Sequence, residues 1–303
     1  MKVACIDDWL DESGSPSPGG TCLNAGCIPS KVLLELSEDY AYMCDAAAHP
    51  GITAADITLD IAKIQQDKQA VVSQLTSGVS TLLRANGVTA IPGQGSLLAD
   101  KKIKLTTSDG NGEKIYMADN IIIATGSRPI DIPAARIDGN RIVDSQGALE
   151  FETVPARLGI IGAGVIGLEM GSVWSRFGAE VTLLEAQETF LPAADKDIAA
   201  LALAEYKRQG LDIHTSACVT ATEVTQDGVA VSYTESGDTK QLVVDRLVVA
   251  VGRRPYTDSL DPAESSLLID EGGFIHVNEN CLTNLPGVYA IGDVVQGPML
   301  AHK

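Results

Sequence analysis

The chain has 303 residues and a net charge of −18, from 22 Lys plus Arg against 40 Asp plus Glu, a balance that argues against nucleic acid and anionic membrane as partners. An apolar share of 45 %, 29 glycines and only 4 % aromatics suit an α/β protein of about two domains, rich in strand–helix turns. No apolar run approaches the roughly 18–20 residues of a membrane span, and the apolar stretch at the start is too short for a signal peptide, so a cytoplasmic chain is expected.

Lys2–Asp7 reads as a short buried strand, followed by a polar loop from Asp8 to Gly20. Pro29 suits a first helical turn, and Val32, Leu33, Leu36 and Tyr40 recur at helix spacing, predicting a helix from Cys27 to about Ala48. A second amphipathic helix is expected over Ile57–Asn86, capped by Gly87. Short strands follow at Val88–Ile91, Lys102–Thr106 and Lys114–Met117, then an apolar strand, Asn120–Ala124, that runs into Thr125-Gly126-Ser127.

From Arg157 the texture changes. A strand at Leu158–Ile161, a helix at Val165–Phe177 closed by Gly178, a strand at Glu180–Leu184, a helix at Ile198–Gln209 closed by Gly210 and a strand at Asp212–Ala217 make a βαβαβ run. That is the unit of a doubly wound nucleotide domain. Further strands are expected at Thr222–Val224, Val229–Tyr233, Leu242–Val244 and Leu247–Val251, the last running into Gly252-Arg253-Arg254-Pro255. A final strand, Val288–Ile291, runs into Gly292-Asp293, and the closing residues look like the start of another helix.

Gly162-Ala163-Gly164-Val165-Ile166-Gly167 lies between a predicted strand and a predicted helix. In that context Gly162 permits a tight turn, Gly164 lets a pyrophosphate approach the backbone, and Gly167 lets helix and strand pack closely. The pyrophosphate would meet free N–H groups and the positive end of a helix dipole. Glu185 ends the next strand, where a carboxylate accepts from ribose hydroxyls and repels a 2′-phosphate; no arginine flanks it, so NAD is favoured over NADP. A turn that needs small residues for packing alone is the competing reading.

The six cysteines are scattered, which speaks against a secreted disulfide scaffold, and none has a zinc spacing with histidine, so no metal site is expected. Only Cys22 and Cys27 are close. A disulfide needs Cα atoms about 4.4–6.8 Å apart, which residues five apart in a regular helix do not offer. The segment before Cys27 is therefore expected to be irregular, with Gly26 permitting it, and Cys27 to open a helix whose dipole favours a thiolate. Taken alone, these residues fit a redox pair or two buried thiols equally well.

The stretch Gly19-Gly20-Thr21-Cys22-Leu23-Asn24-Ala25-Gly26-Cys27-Ile28-Pro29-Ser30-Lys31 resembles the redox motif of the flavin-dependent pyridine nucleotide–disulfide oxidoreductases, most closely that of the dihydrolipoyl dehydrogenases. The resemblance covers essentially the whole chain. It implies an α/β fold of two Rossmann-like domains: an FAD domain at 1–153, an inserted NAD domain at 154–277 and a return segment at 278–303. It implies FAD and NAD as cofactors, and oxidation of protein-bound dihydrolipoyl groups by NAD. The implied partners are a homodimer mate and the lipoyl-bearing acyltransferase subunit of a 2-oxoacid dehydrogenase complex, or a glycine cleavage system. By similarity Cys27 lies against the flavin, Cys22 exchanges with substrate, and Lys31 reaches the flavin with Glu169 as its pair.

The same resemblance assigns the FAD side to Asp7, Lys31, Gly95, Thr125, Gly126, Ser127 and Asp293, with Met299, Leu300, Ala301 and His302 lying along the flavin. It assigns the NAD side to Gly162 through Gly167, Leu168, Glu169, Glu185, Val219 and Gly252. The family opens with a further strand and Gly-rich fingerprint before Asp7 and closes with an interface domain carrying a His–Glu base; neither is in this sequence, and the loop Asp8–Pro18 is longer than the family's. Weak FAD binding and little turnover are the expectation for the chain as given. His49-Pro50 resembles the catalytic His-Pro only superficially and is rejected. The competing readings are another flavin disulfide reductase, such as a mercuric reductase, and a non-catalytic fragment that retains NAD binding.

Overall fold

A computed structural model describes residues 2–11, 13–47, 51, 56–108, 112–260 and 262–300. The chain divides into two compact units, one made of residues 1–24, 72–128 and 253–303, the other of 25–71 and 129–252. In this division residues 25–71 and 129–153 group with the nucleotide-fold strands and 253–277 with the other unit, whereas the expected domain breaks lie at 153/154 and 277/278.

The unit of 25–71 and 129–252 holds a five-stranded sheet in the order Leu211–His214, Glu180–Leu184, Arg157–Ile161, Arg246–Val249, Ile142–Asp144. Every neighbouring pair is parallel. Its central strands are apolar runs buried along nearly their whole length, as a parallel sheet covered on both faces requires. Helix Val165–Arg176 packs on this sheet and buries seven of its residues. Trp174 is fully buried between Phe151 and Phe177, with ring centroids 5.1 and 5.9 Å away. Its indole N–H donates to the Ala148 carbonyl at 3.1 Å, the partner a buried indole needs. Helix Lys196–Arg208 begins two residues before the expected start because Asp195 caps it, accepting from the Asp197 N–H.

The single strand expected at Asp212–Ala217 is two strands. Ser216 takes a left-handed conformation, φ 55°, which ends Leu211–His214 and starts Ala217–Thr225. The new strand belongs to an antiparallel meander with Gly228–Glu235 and Asp238–Val244. Ser236 and Gly237, both at positive φ, form the second turn of that meander, as a tight two-residue hairpin favours.

In the other unit, Val3–Asp7 pairs in parallel with the first half of Val88–Leu98, and the second half of that strand pairs antiparallel with Lys102–Thr107, itself followed by Glu113–Met117. Of Val88–Leu98 only Val88–Ile91 was legible as a strand, because Pro92 and Gly93 look like a stop signal. Instead the strand continues and changes partner at Gly93, where a side chain would sit 2.4 Å from the Thr106 carbonyl oxygen. Ile121–Ile123 pairs in parallel with Val288–Ala290. Both bury side chains in a core with Leu97, Leu260, Leu267, Ile275 and Val294.

The segment before Cys27 breaks at Gly26 as expected, where a bend separates two helices, although Gly20–Ala25 ahead of it is itself a short helix, and the next helix runs Cys27–Ala47. Helix Ile61–Ala85 starts later than expected because the Asp60 carboxylate takes the Lys63 N–H at 3.1 Å. Among the described residues no helix is long and apolar enough to cross a membrane. The expected closing helix and His49 lie outside the described residues.

Candidate functional site

The Gly-rich loop sits between strand Arg157–Ile161 and helix Val165–Arg176. A Cβ on Gly162 would stand 2.5 Å from the Ala250 carbonyl oxygen, and one on Gly167 would stand 2.1 Å from the Gly162 oxygen. Around Gly164 nothing lies within 4 Å of where a side chain would start. Two glycines are thus required by the protein's own backbone, and the middle one faces open space at a helix N-terminus, which fits an entering pyrophosphate. The first two helix residues, Val165 and Ile166, are exposed and half-buried, and Ala163 is buried.

Glu185 follows directly on strand Glu180–Leu184. Its carboxylate accepts from the Ala163 N–H at 2.8 Å and the Gln187 N–H at 2.9 Å. The Glu185 backbone is fixed as well, its N–H donating to His214 O and its carbonyl accepting from the Ala217 N–H, both at 2.8 Å. The acid is therefore held beside the phosphate loop, with its remaining lone pairs open to ribose hydroxyls. Val219 is half-buried where the register shifts between Val219 and Ala221. Gly252, φ 119°, accepts from the Ile130 N–H at 3.0 Å. Leu168 is different: its side chain is buried in the core and its N–H is used on Gly164 O at 2.9 Å, so it serves the fold and offers no polar group to a ligand.

In the same unit, helix Cys27–Ala47 packs against helix Val165–Arg176. Cys27 is the first residue of its helix and is exposed. One turn on, Lys31 Nζ lies 2.6 Å from Glu169 Oε1. The other carboxylate oxygen lies 3.2 Å from the Ser30 hydroxyl, which also lies 3.2 Å from the Cys27 carbonyl. Glu169 thus ties the first turn of the cysteine helix to the fingerprint helix. Ser30, 5 % exposed, was not picked out from the sequence; its adjacency to Lys31 within the motif was the available signal.

In the other unit, Cys22 is half-buried in helix Gly20–Ala25. Asp7 ends strand Val3–Asp7, half-buried. Burial raises its carboxyl pKa, as does Asp8, while the Trp9 and Gly19 backbone N–H groups oppose the rise. Gly95 packs against Ile103 and Ile6 with room for a methyl group, at 3.5 Å from each. The turns at Gly126 and Gly292 have φ of 76° and 74° and face open space. Thr125 donates to the Tyr256 carbonyl at 2.6 Å, and Ser127 donates to Asp293 Oδ2 at 2.6 Å. Two open glycine turns bracketing a hydroxyl–carboxylate pair, with a half-buried acid at a strand end, fit the ribose, ribityl and backbone contacts that FAD requires. Arg253, missed in the sequence, donates to both the hydroxyl and the carbonyl of Ser127. Met299 is half-buried and Leu300 exposed; Ala301 and His302 lie outside the described residues.

The model of the family described as pyridine nucleotide-disulphide oxidoreductase matches residues 1–303. The dihydrolipoyl dehydrogenase of Cupriavidus necator is 44 % identical over 100 % of this chain and 64 % of its own length. That of Geobacillus stearothermophilus is 41 % identical over 94 % of the chain and 60 % of its length. The leghemoglobin reductase of Glycine max is 40 % identical over 100 % of the chain and 57 % of its length. Among solved structures, LpdA from Mycobacterium tuberculosis superposes with a TM-score of 0.86 at 25 % identity, covering 99 % of this chain and 63 % of that one. The Cu(II) complex of the HOCl-induced flavoprotein disulfide reductase RclA from Escherichia coli superposes with a TM-score of 0.83 at 29 % identity, covering 99 % and 62 %. The chain spans about three fifths of the length of the relatives it matches. With the family model matched from end to end and the nucleotide loop built as described, the chain belongs to the pyridine nucleotide-disulphide oxidoreductase family.

Proposed function

We propose that this chain carries the electron-transfer part of an NAD-linked flavoprotein that oxidises protein-bound dihydrolipoyl groups. The observation that carries this reading is the Lys31–Glu169 pair, which anchors the first turn of the Cys27 helix to the helix of the dinucleotide loop. A redox thiol and a nicotinamide cofactor must converge on one electron carrier, and this pair joins their two supports.

In the proposed reaction Cys22 and Cys27, which form no disulfide in this structure, form one on oxidation, and that disulfide accepts two electrons. A thiolate of the dihydrolipoyl group attacks Cys22 Sγ, the Cys22–Cys27 bond breaks, and Cys27 leaves as a thiolate. The second substrate thiol then attacks the mixed disulfide, releasing the lipoyl disulfide and Cys22 as a thiol. FAD, held by the residues named below, would supply the two-electron carrier between the dithiol and NAD. Lys31 keeps a positive charge beside Cys27, one helical turn away, and Glu169 and Ser30 hold that charge in place. Gly164 admits the NAD pyrophosphate to the helix N-terminus, and Glu185 receives the adenosine ribose and disfavours a 2′-phosphate. Asp7, Gly95, Thr125, Gly126, Ser127 and Asp293 would hold FAD. The lipoyl-bearing acyltransferase partner and the homodimer belong to the same proposal and rest on the similarity to dihydrolipoyl dehydrogenases.

The test is thiol mapping. The oxidised chain is incubated anaerobically with FAD and NADH and then alkylated, and the labelled cysteines are identified by mass spectrometry. With FAD in excess to offset its weak binding, the expected outcome is slow new labelling at Cys22 and Cys27 that requires both FAD and NADH and reverses on adding lipoamide. Labelling that ignores NADH, or that falls on other cysteines, would overturn the reading. Consumption of NADH by Hg(II) with release of elemental mercury, in place of reversal by lipoamide, would redirect the substrate to mercuric ion.

A further inference from the structure

Arg253, Ser127 and Asp293 form a line of hydrogen bonds within one compact unit. The Arg253 guanidinium grips Ser127 twice: Nε donates to the hydroxyl oxygen at 2.8 Å and Nη2 to the backbone carbonyl at 2.6 Å. Nη2 also lies 3.5 Å from Thr21 Oγ1, next to Cys22. The Ser127 hydroxyl donates to Asp293 Oδ2 at 2.6 Å. A serine hydroxyl has one proton and two lone pairs. With Arg253 supplying a donor to a lone pair, the proton is directed to the carboxylate. The guanidinium cannot lose its own proton in the working pH range, so the polarity of the line is fixed.

We propose that Arg253 acts through Ser127 as the positioning residue of Asp293. The side chain of Asp293 stands at the open turn of Gly292, on a short 3-10 segment with little regular structure to orient it. Ser127 occupies Oδ2, and among the described residues no other group takes Oδ1, which is left to receive a ligand hydroxyl. Because Arg253 begins strand Arg253–Pro255 and Ser127 begins strand Ser127–Pro129, the grip is made between two short extended segments rather than by a flexible loop. The consequence for cofactor binding rests on the reading of Asp293 as an FAD ligand; the relay itself does not.

Urea unfolding of the full chain tests the relay without cofactor. Arg253→Met and Asp293→Ala are measured singly and together, in the natural background and in Ser127→Ala and Ser127→Thr backgrounds. The expected result is non-additivity of about tenfold in the unfolding constant, lost with Ser127→Ala and kept with Ser127→Thr. Additive effects in the natural background, or a coupling that survives Ser127→Ala, overturn the relay.

Quenching of FAD fluorescence supplies a readout that a merely structural arginine would not move. Arg253→Met and Ser127→Ala should weaken FAD about tenfold at equal folded population and unchanged NAD affinity, with Arg253→Lys and Ser127→Thr restoring part of the loss. FAD affinity equal to the natural chain's in all four variants overturns the positioning role. A natural chain that keeps the coupling but fails to quench FAD tells against the flavin reading and supports the relay alone.

Discussion

The Gly167 Cα faces the Gly162 carbonyl so closely that a methyl group on it would stand 2.1 Å from the oxygen, whereas a methyl group on Gly164, two residues from Gly162, would meet open space. The two glycines therefore fail differently. Gly167→Ala must push the fingerprint helix off its strand and should destabilise the chain by about 1–3 kcal/mol, with NAD binding lost alongside. Gly164→Ala, whose φ of −77° suits any residue, should leave the urea midpoint unchanged and weaken NAD at least about tenfold by displacing the pyrophosphate. Calorimetric NAD titration beside urea denaturation separates the two; an unaffected NAD affinity in Gly164→Ala would show that the open space is not the phosphate site.

Glu169→Gln should be nearly silent for folding. Lys31 is 58 % exposed in the pair, so solvent screening limits the interaction to below about 1 kcal/mol. The expected consequence is electronic and positional: slower flavin–thiol electron transfer in the FAD-loaded chain with a urea midpoint like that of the natural chain. Ser30→Ala should show the same pattern more weakly, since it removes one hydrogen bond to the same carboxylate.

Lys68 is 1 % exposed, ion-paired to Glu150 at 2.7 Å and donating to the Leu149 carbonyl at 2.9 Å. Gln65 donates to the same carbonyl and to that of Phe151, at 3.0 and 2.9 Å. Helix Ile61–Ala85 is thereby stitched to the segment that carries the Trp174 acceptor, Ala148. Lys68→Met keeps the stem's packing and removes the charge, so it should cost about 1–3 kcal/mol. Lys68→Ala adds a cavity and should cost more. Urea midpoints rank the two, and a Lys68→Met midpoint equal to the natural chain's would mean that the stitch contributes nothing beyond volume.

His214 predicts a pH dependence. Its Nδ1 lies 2.8 Å from Glu235 Oε1 and its Nε2 lies 2.9 Å from Asp212 Oδ2. Both ring nitrogens can donate only in the imidazolium. Burial lowers the pKa, but the hydrogen bonds that the ring donates to Asp212 and Glu235 outweigh it and the net shift is upward from 6.5. Lys240, paired with Glu235, and the Tyr233 ring complete the surroundings. A group whose folded pKa is raised stabilises fully below its unfolded pKa. His214 thus contributes most below pH 6.5, and that share is lost as pH rises through the higher folded value. In His214→Gln the urea midpoint should be lower at pH 6 and should converge on the natural one toward pH 9; a constant offset across that range would refute the linkage.

The nucleotide half was largely legible because its signals are local. The apolar runs at Arg157–Ile161 and Glu180–Leu184 and the helix between them came out within a residue or two. The strand at Asp212–Ala217 misread because nothing in the sequence marks Ser216 as left-handed; the bend is held by the Ser216 and Ala217 N–H groups donating to the Gln187 and Glu185 carbonyls, from another part of the chain. The strand through Pro92 and Gly93 misread for the converse reason, since residues that usually end a strand were overruled by partners on both sides.

Motif spacing by itself determined the dinucleotide loop, the acid that follows it and the cysteine motif, because each depends on backbone freedom and chemistry within a few neighbouring residues. Tertiary structure alone decided which far-apart groups meet: Ser30 and Lys31 with Glu169, and Arg253 with Ser127 and Asp293. Those partners are 126 to 166 residues apart in the chain. Side chains so distant meet only after sheets and helices have packed, and a hydrogen bond acts over about 3 Å, a distance that no local pattern encodes.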